Sequence, residues 1–224
     1  MNNILRNLNW SVLENALLAV IPALICITFH ELAHGFTAYK LGDPTAKNMG
    51  RLTLNPIKHI DIMGLLMMVI FKFGWAKPVP VNMFNFKKPK WYMAITALAG
   101  PLSDLALSVV VLFILGLVLG PIVDNSESRT SYIALELIGN TAYISTALAI
   151  FNLLPIPPLD GSKVLFSFFS EPVYFKLMRY ERYGMILLIL IMVTGVFSRT
   201  IGQLTYSLFT RLQSIALFSY SLVN

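Results

Sequence analysis

The sequence predicts an all-α polytopic membrane protein, a helical bundle built as one transmembrane domain over residues 1–224. Three observations predict it. Hydrophobic residues make up 56% of the chain and charged residues 12%, against a soluble average of roughly 25% charged, and mean hydropathy is +0.70. Apolar runs of about 20 residues, the length of a spanning helix, recur along the chain and leave no stretch for a separate soluble domain. Thirteen of the 17 Lys and Arg residues fall in 36–90 and 161–183. That clustering reads as cytoplasmic loops under the positive-inside rule, so the net charge of +6 does not point to nucleic acid. Cys26 is the only cysteine, which excludes an intrachain disulfide and a cysteine-based metal cluster. No A-x-A-like cleavage site precedes the end of the first apolar run, so the N-terminal segment is read as retained.

Residues 11–35 have the length of a spanning helix, with Glu14 near one end and Pro22 as an expected kink. The loop 36–60 is polar and turn-rich, and Lys40, Lys47, Arg51 and Lys58 against Asp43 place it in the cytoplasm. Residues 62–71 are apolar but too few to cross, which predicts an interfacial or re-entrant segment. The basic stretch 72–90 follows, with Val and Pro alternating at Pro78, Val79, Pro80 and Val81 before Asn82. Proline neither continues a helix nor donates to a central ladder, so this stretch reads as an extended edge to which a substrate could add a strand.

The next span, 91–119, is expected to be interrupted at Gly100-Pro101. A short acidic loop at 120–131 suits the outside, and 132–151 crosses back into Asn152-Leu153-Leu154-Pro155-Ile156-Pro157-Pro158-Leu159-Asp160-Gly161. Prolines at that density free backbone polar groups, which a bilayer tolerates only where they line a protein cavity. Residues 162–183 are amphiphilic and net basic, hence cytoplasmic, and another apolar run covers 184–198. The tail 200–224 fits either a last span or a surface helix. No internal repeat or low-complexity segment is present.

The chemistry is concentrated in Phe29-His30-Glu31-Leu32-Ala33-His34-Gly35, at the end of the first run. On a helix His30 and His34 lie on one face, one turn apart, so two imidazoles can share a tetrahedral ion. Glu31, displaced by one residue, can reach a water beside that ion without being a ligand. Zinc suits such ligands, and a catalytic zinc site uses three protein ligands and leaves the fourth position open. Asp160 is the acid that ends a broken span on the same cytoplasmic side, which suggests a His2Asp site. Glu31 is then the general base, and Asn152 is the candidate donor to the oxyanion.

Plainer readings compete with each assignment. HExxH occurs by chance in ordinary helices, although a charged residue at the centre of a span costs about 2.5–3.5 kcal/mol on insertion scales, which disfavours an idle occurrence. Asp160 could cap a turn before Gly161, and Asn152 could cap freed carbonyls. His59 reads as a surface or interfacial residue and Glu136 as facing the outer interface. Asp104 fits an extra ligand, a hydrogen-bond partner of the broken helix or a structural polar residue, with the second favoured.

With HELAHG at 30–35 and NLLPIPPLDG at 152–161, the chain resembles the site-2 protease family of intramembrane zinc metalloproteases. The resemblance extends to Gly50-Arg51-Leu52, GWAKPVPVN at 74–82 and AGPLSD at 99–104, and so covers about residues 25–170. It implies a three-span catalytic core (about 11–170) followed by additional C-terminal helices (171–224). It also implies one zinc held by His30, His34 and Asp160, Glu31 as base, and a small re-entrant β-hairpin that pairs with the unwound substrate. Asp104 departs from the asparagine common in the family after AGPxx. The expected partners are a transmembrane protein substrate and the lipid bilayer, not nucleic acid; a homo-oligomer is compatible with the sequence. The expected location is the cell membrane, multi-pass, with the active site toward the cytoplasm. Two other classes stand beside this reading: a non-catalytic zinc-binding membrane chaperone or binding protein, and a metal transporter, which the absence of a paired repeat of broken helices disfavours.

Overall fold

The computed structural model describes residues 10–64, 66, 75–124, 128–193 and 196–223. Its helices, in chain order, are α1 (Trp10–Lys40), α2 (Thr45–Asn48), α3 (Pro89–Asp124), α4 (Arg129–Asn152), α5 (Asp160–Phe166), α6 (Glu171–Val193) and α7 (Val196–Tyr220), with 3-10 turns at Pro56–His59 and Met83–Asn85. Among the described residues three segments are long and apolar enough to cross a membrane: Leu18–Lys40, Pro89–Gly120 and Arg129–Asn152.

The sequence of α3 shows why these helices bundle. Ile95, Leu102, Val109, Val110, Phe113 and Ile114 are exposed and recur at intervals of about one or two helical turns. In water such a stripe would be a liability; on a spanning helix it faces lipid. The opposite face carries Thr96, Gly100, Asp104 and Ser108 at every fourth residue, all buried. Small and hydroxyl residues let neighbouring helices approach closely and hydrogen-bond across the contact. Ser108 Oγ donates to the Ala142 carbonyl at 3.0 Å and lies 2.8 Å from Thr146 Oγ1. Ser145 Oγ donates to the Asp104 carbonyl at 2.7 Å, and Cys26 Sγ reaches the Thr141 carbonyl at 3.4 Å. These contacts lock α1, α3 and α4 together around the residues that carry chemistry.

Several expectations change here. The α3 helix runs without interruption through Gly100-Pro101, because proline removes one ladder bond and a helix packed between neighbours in a bilayer tolerates that loss. The tail is α7, packed on α3 and α4 through a core of Leu112, Ala142 and Ala216 with Phe209 and Leu212 against it. His59 is not a surface residue: it is 1% exposed, and its ring lies 2.9 Å from the Thr53 carbonyl.

The β-hairpin is likewise not supported. Among the described residues the only β pairing is a single antiparallel bridge between Ile60 and Ala76; residues 65 and 67–71 of the expected re-entrant segment 62–71, and 72–74 after it, lie outside the described residues. Among the described residues, 77–82 is held by side chains and by the single backbone bond from Lys77 to His59, and two of its six residues are prolines without a donor.

Candidate metal centre

The α1 helix delivers His30 and His34 one turn apart, with ring centroids 4.5 Å apart and planes nearly perpendicular. Where α4 ends, the backbone turns through 153–159 and restarts as α5, whose first residue is Asp160. A side chain on Gly161 would collide with the carbonyls of Leu153 and Leu154, so glycine is what lets α5 fold against the end of α4. The result is a tight triangle. His30 Nε2 and His34 Nε2 are 3.0 Å apart, and Asp160 Oδ2 lies 3.2 Å from the first and 3.1 Å from the second. All three residues are at least nine-tenths buried.

The remaining ring nitrogens fix what that triangle is for. His30 Nδ1 donates to Asp104 Oδ2 at 2.7 Å and His34 Nδ1 donates to the Thr96 carbonyl at 2.7 Å. With the proton of each neutral ring on Nδ1, both Nε2 lone pairs converge with a carboxylate oxygen, three acceptors with no proton between them. A divalent cation satisfies that arrangement. The donor set of two imidazoles and one carboxylate suits zinc, and the ligand atoms all lie within 4.8 Å of one another. Gly100 on α3 lies against both rings; a Cβ there would collide with the imidazoles of His30 and His34.

A cleft of about 350 Å³ opens onto the triangle, lined among others by Glu31, Val79, Val81, Asn152, Lys163 and Glu181. Glu31 follows His30 in the chain and accepts a hydrogen bond on Oε2 from the Val79 N–H at 2.7 Å. Pro78, Val79 and Val81 line the cleft, whereas Pro80 and Asn82 do not. The Asn152 amide lines it too but donates to the Leu148 carbonyl at 3.0 Å, the capping bond expected where a helix loses its next donor.

Two residues of the site, Lys163 and Glu181, escaped the sequence reading, and a third, Asp104, was read without its partner. Asp104, for which the sequence left three roles open, meets the Nδ1 of His30, the ring nitrogen away from Asp160, as carboxylates do for metal-binding histidines. Lys163, read as part of a basic loop, turns into the cleft with Nζ 3.5 Å from Asp160 Oδ1 and 3.6 Å from Glu181 Oε1. It neutralises the Asp160 oxygen that does not face the imidazoles and ties α6 to the site. Its position three residues after Asp160 on a helix was a signal for contact, but Glu181 could be paired with it only in three dimensions.

Comparison with known proteins agrees with this chemistry. A profile of peptidase family M50 matches residues 118–194. YwhC of Bacillus subtilis, which carries a zinc metalloprotease name, is 38% identical over 179 residues, covering 78% of this chain and 80% of that protein. Rip2 of Mycolicibacterium smegmatis, named likewise, is 26% identical over 200 residues, covering 86% of this chain and 73% of its own length. MJ0611 of Methanocaldococcus jannaschii, again named as a zinc metalloprotease, is 35% identical over 138 residues, with 61% and 63% covered. No solved structure matches.

Proposed function

The chain belongs to peptidase family M50, a zinc metalloprotease with several membrane-crossing helices, and from that premise we propose that it hydrolyses peptide bonds within or next to transmembrane helices of membrane-bound substrates. The observation that carries the proposal is the triangle of His30 Nε2, His34 Nε2 and Asp160 Oδ2 opening onto a cleft beside Glu31. In this reading His30, His34 and Asp160 hold zinc, which when bound supplies Lewis acidity at the scissile carbonyl and lowers the pKa of a water to about 7. Glu31 accepts the proton of the attacking water and passes it to the leaving amine. Asn152, at the cleft wall, donates to the developing oxyanion once its amide leaves the Leu148 carbonyl. Residues Pro78, Val79, Pro80, Val81 and Asn82 receive the unwound substrate as an added strand.

In this reading the basic residues of 36–90 lie on the cytoplasmic side together with the site; an epitope inserted between α3 and α4 should then be reached only from outside the cell, and one reached from the cytoplasm would overturn this orientation. The deciding experiment couples metal analysis to cleavage of a helix-destabilised membrane substrate by wild type and Glu31→Gln. Wild type binds one zinc and cleaves; Glu31→Gln binds zinc and does not. Folded, zinc-loaded wild type that cleaves nothing, or undiminished cleavage by Glu31→Gln, would sink the proposal, and the latter result would favour a metal used only for structure.

A further inference from the structure

Two charged side chains outside the metal centre are buried without a counter-ion. Asp43 is 0% exposed and Arg51 6%, and neither forms an ion pair with a described residue. Burying a charge in this way is costly unless hydrogen bonds satisfy it. Each sends hydrogen bonds to the backbone of the same segment, although the buried Arg51 Nε has no partner among the described residues. Arg51 Nη2 donates to the carbonyls of Lys77 at 2.7 Å and Pro78 at 3.3 Å. Asp43 Oδ2 accepts from the Asn82 N–H at 2.7 Å, while its Oδ1 accepts from Asn85 Nδ2 at 2.7 Å and from the Thr45 N–H at 3.1 Å.

These contacts close both ends of the segment and leave its middle open. The Lys77 N–H goes to the His59 carbonyl and the Val79 N–H to Glu31. Among the described residues nothing bonds to the carbonyls of Val79, Pro80 and Val81 or to the Val81 N–H. In an extended chain residues two apart present their N–H groups on the same edge, so the open Val81 N–H faces the way Val79 does, toward Glu31. A sister strand would hold 77–82 through its ladder groups. Among the described residues three side chains and the single backbone bond from Lys77 hold it here, and the Val81 N–H and the carbonyls of Val79, Pro80 and Val81 stay open.

The anchors share one origin. Glu31 is on α1, and Asp43 and Arg51 lie on the connection that leaves it, entered through Gly42 in a left-handed conformation (φ 107°) and with Gly50 (φ 64°) just before Arg51. The position of the edge is therefore referenced to the helix that carries His30 and His34.

We infer that Arg51 and Asp43 are positioning residues that set the register of a substrate strand against the metal centre, and thereby which peptide bond is cut. The inference rests on the reading of 78–82 as the substrate edge. A strand keeps its facing when it slips by two residues, so a loosened edge redistributes cleavage to neighbouring bonds instead of only slowing it. That redistribution is a signature a purely structural role lacks.

The test uses the full chain in phosphatidylcholine vesicles and a synthetic peptide with an apolar segment of about 20 residues interrupted by Gly-Pro. Wild type, Arg51→Met, Arg51→Lys and Asp43→Asn, each checked for zinc content and thermal unfolding, are compared by mass spectrometry of the products. We expect one dominant bond for wild type, additional bonds and a fall in kcat/KM of about tenfold or more for Arg51→Met and Asp43→Asn, and partial rescue by Arg51→Lys, which keeps a cation with N–H donors but not the planar fork. A second arm places Val81→Cys in the Glu31→Gln protein and reads disulfide formation, under a mild oxidant, with single-cysteine versions of the peptide; Cys26 is fully buried and does not compete. Yield should alternate along the peptide and blur in Arg51→Met. Alternation and cleavage sites unchanged in both brace variants overturn the inference while leaving strand addition intact. Yield without positional preference in the unsubstituted brace overturns strand addition itself, and the inference with it.

Discussion

Replacing Asp104 by alanine tests the metal site at a residue that touches no metal. Asp104 is 0% exposed, and its Oδ2 holds the His30 Nδ1 proton at 2.7 Å. Without it the His30 ring loses its orientation and the acceptor that raises the basicity of Nε2. Losing such an outer partner costs about 10–100-fold in metal affinity, or about 1.4–2.7 kcal/mol at the usual conversion. Asp104→Asn keeps an acceptor but not the charge and should lie between the two. His34 gives an internal control, since its Nδ1 donates to the Thr96 backbone carbonyl, which no side-chain substitution removes; zinc binding should weaken without vanishing. Competition with a chromogenic chelator reads the affinity, with thermal unfolding alongside to confirm folding. Wild-type affinity in folded Asp104→Ala would refute the reasoning.

Three further outcomes follow from the geometry. Gly100→Ala puts a Cβ against both imidazoles and should abolish stoichiometric zinc while sparing the helical circular dichroism signal; full zinc occupancy would contradict it. Lys163→Met leaves Asp160 and Glu181 without their shared cation, and because the three side chains keep some solvent contact the loss should be about 1–3 kcal/mol, read as a lower Tm that the double variant with Glu181→Gln partly restores. An unshifted Tm would count against the clamp. The Asp43 carboxyl sits below its ordinary value of 3.8: burial raises it, but the bonds from Thr45, Asn85 and Asn82 outweigh burial. Its contribution to stability is thus complete above about pH 4 and is lost as pH falls through the lower folded value. Asp43→Asn should lower Tm near neutrality and flatten the acid limb of the Tm–pH curve; an acid limb identical to wild type would rule this out.

Local chemistry made much of the site legible before any fold was known. His30, Glu31 and His34 are three residues of one helix, the histidines four positions apart, and helical periodicity alone decides that two imidazoles share a face. Prolines announce a broken helix and charge topology pointed to Asp160, and the structure brings that carboxylate beside both imidazoles. Proline chemistry likewise excluded a helix from 78–82, where none forms. What failed were strand pairing and the hydrogen-bond networks, which join residues distant in the chain and about which spacing carries no information.

The residues themselves determined the membrane class, the spanning helices and the imidazole pair, since hydropathy, length and helical spacing are properties of contiguous chain. Tertiary structure alone decided that Asp104, 74 residues beyond His30, supports that histidine and not a broken helix. It also decided that Lys163 leaves its basic neighbours for the cleft, and that Arg51 and Asp43 stand where a second strand was expected. A single buried charge signals only that it must be satisfied; which backbone or ring satisfies it depends on packing between segments far apart in sequence.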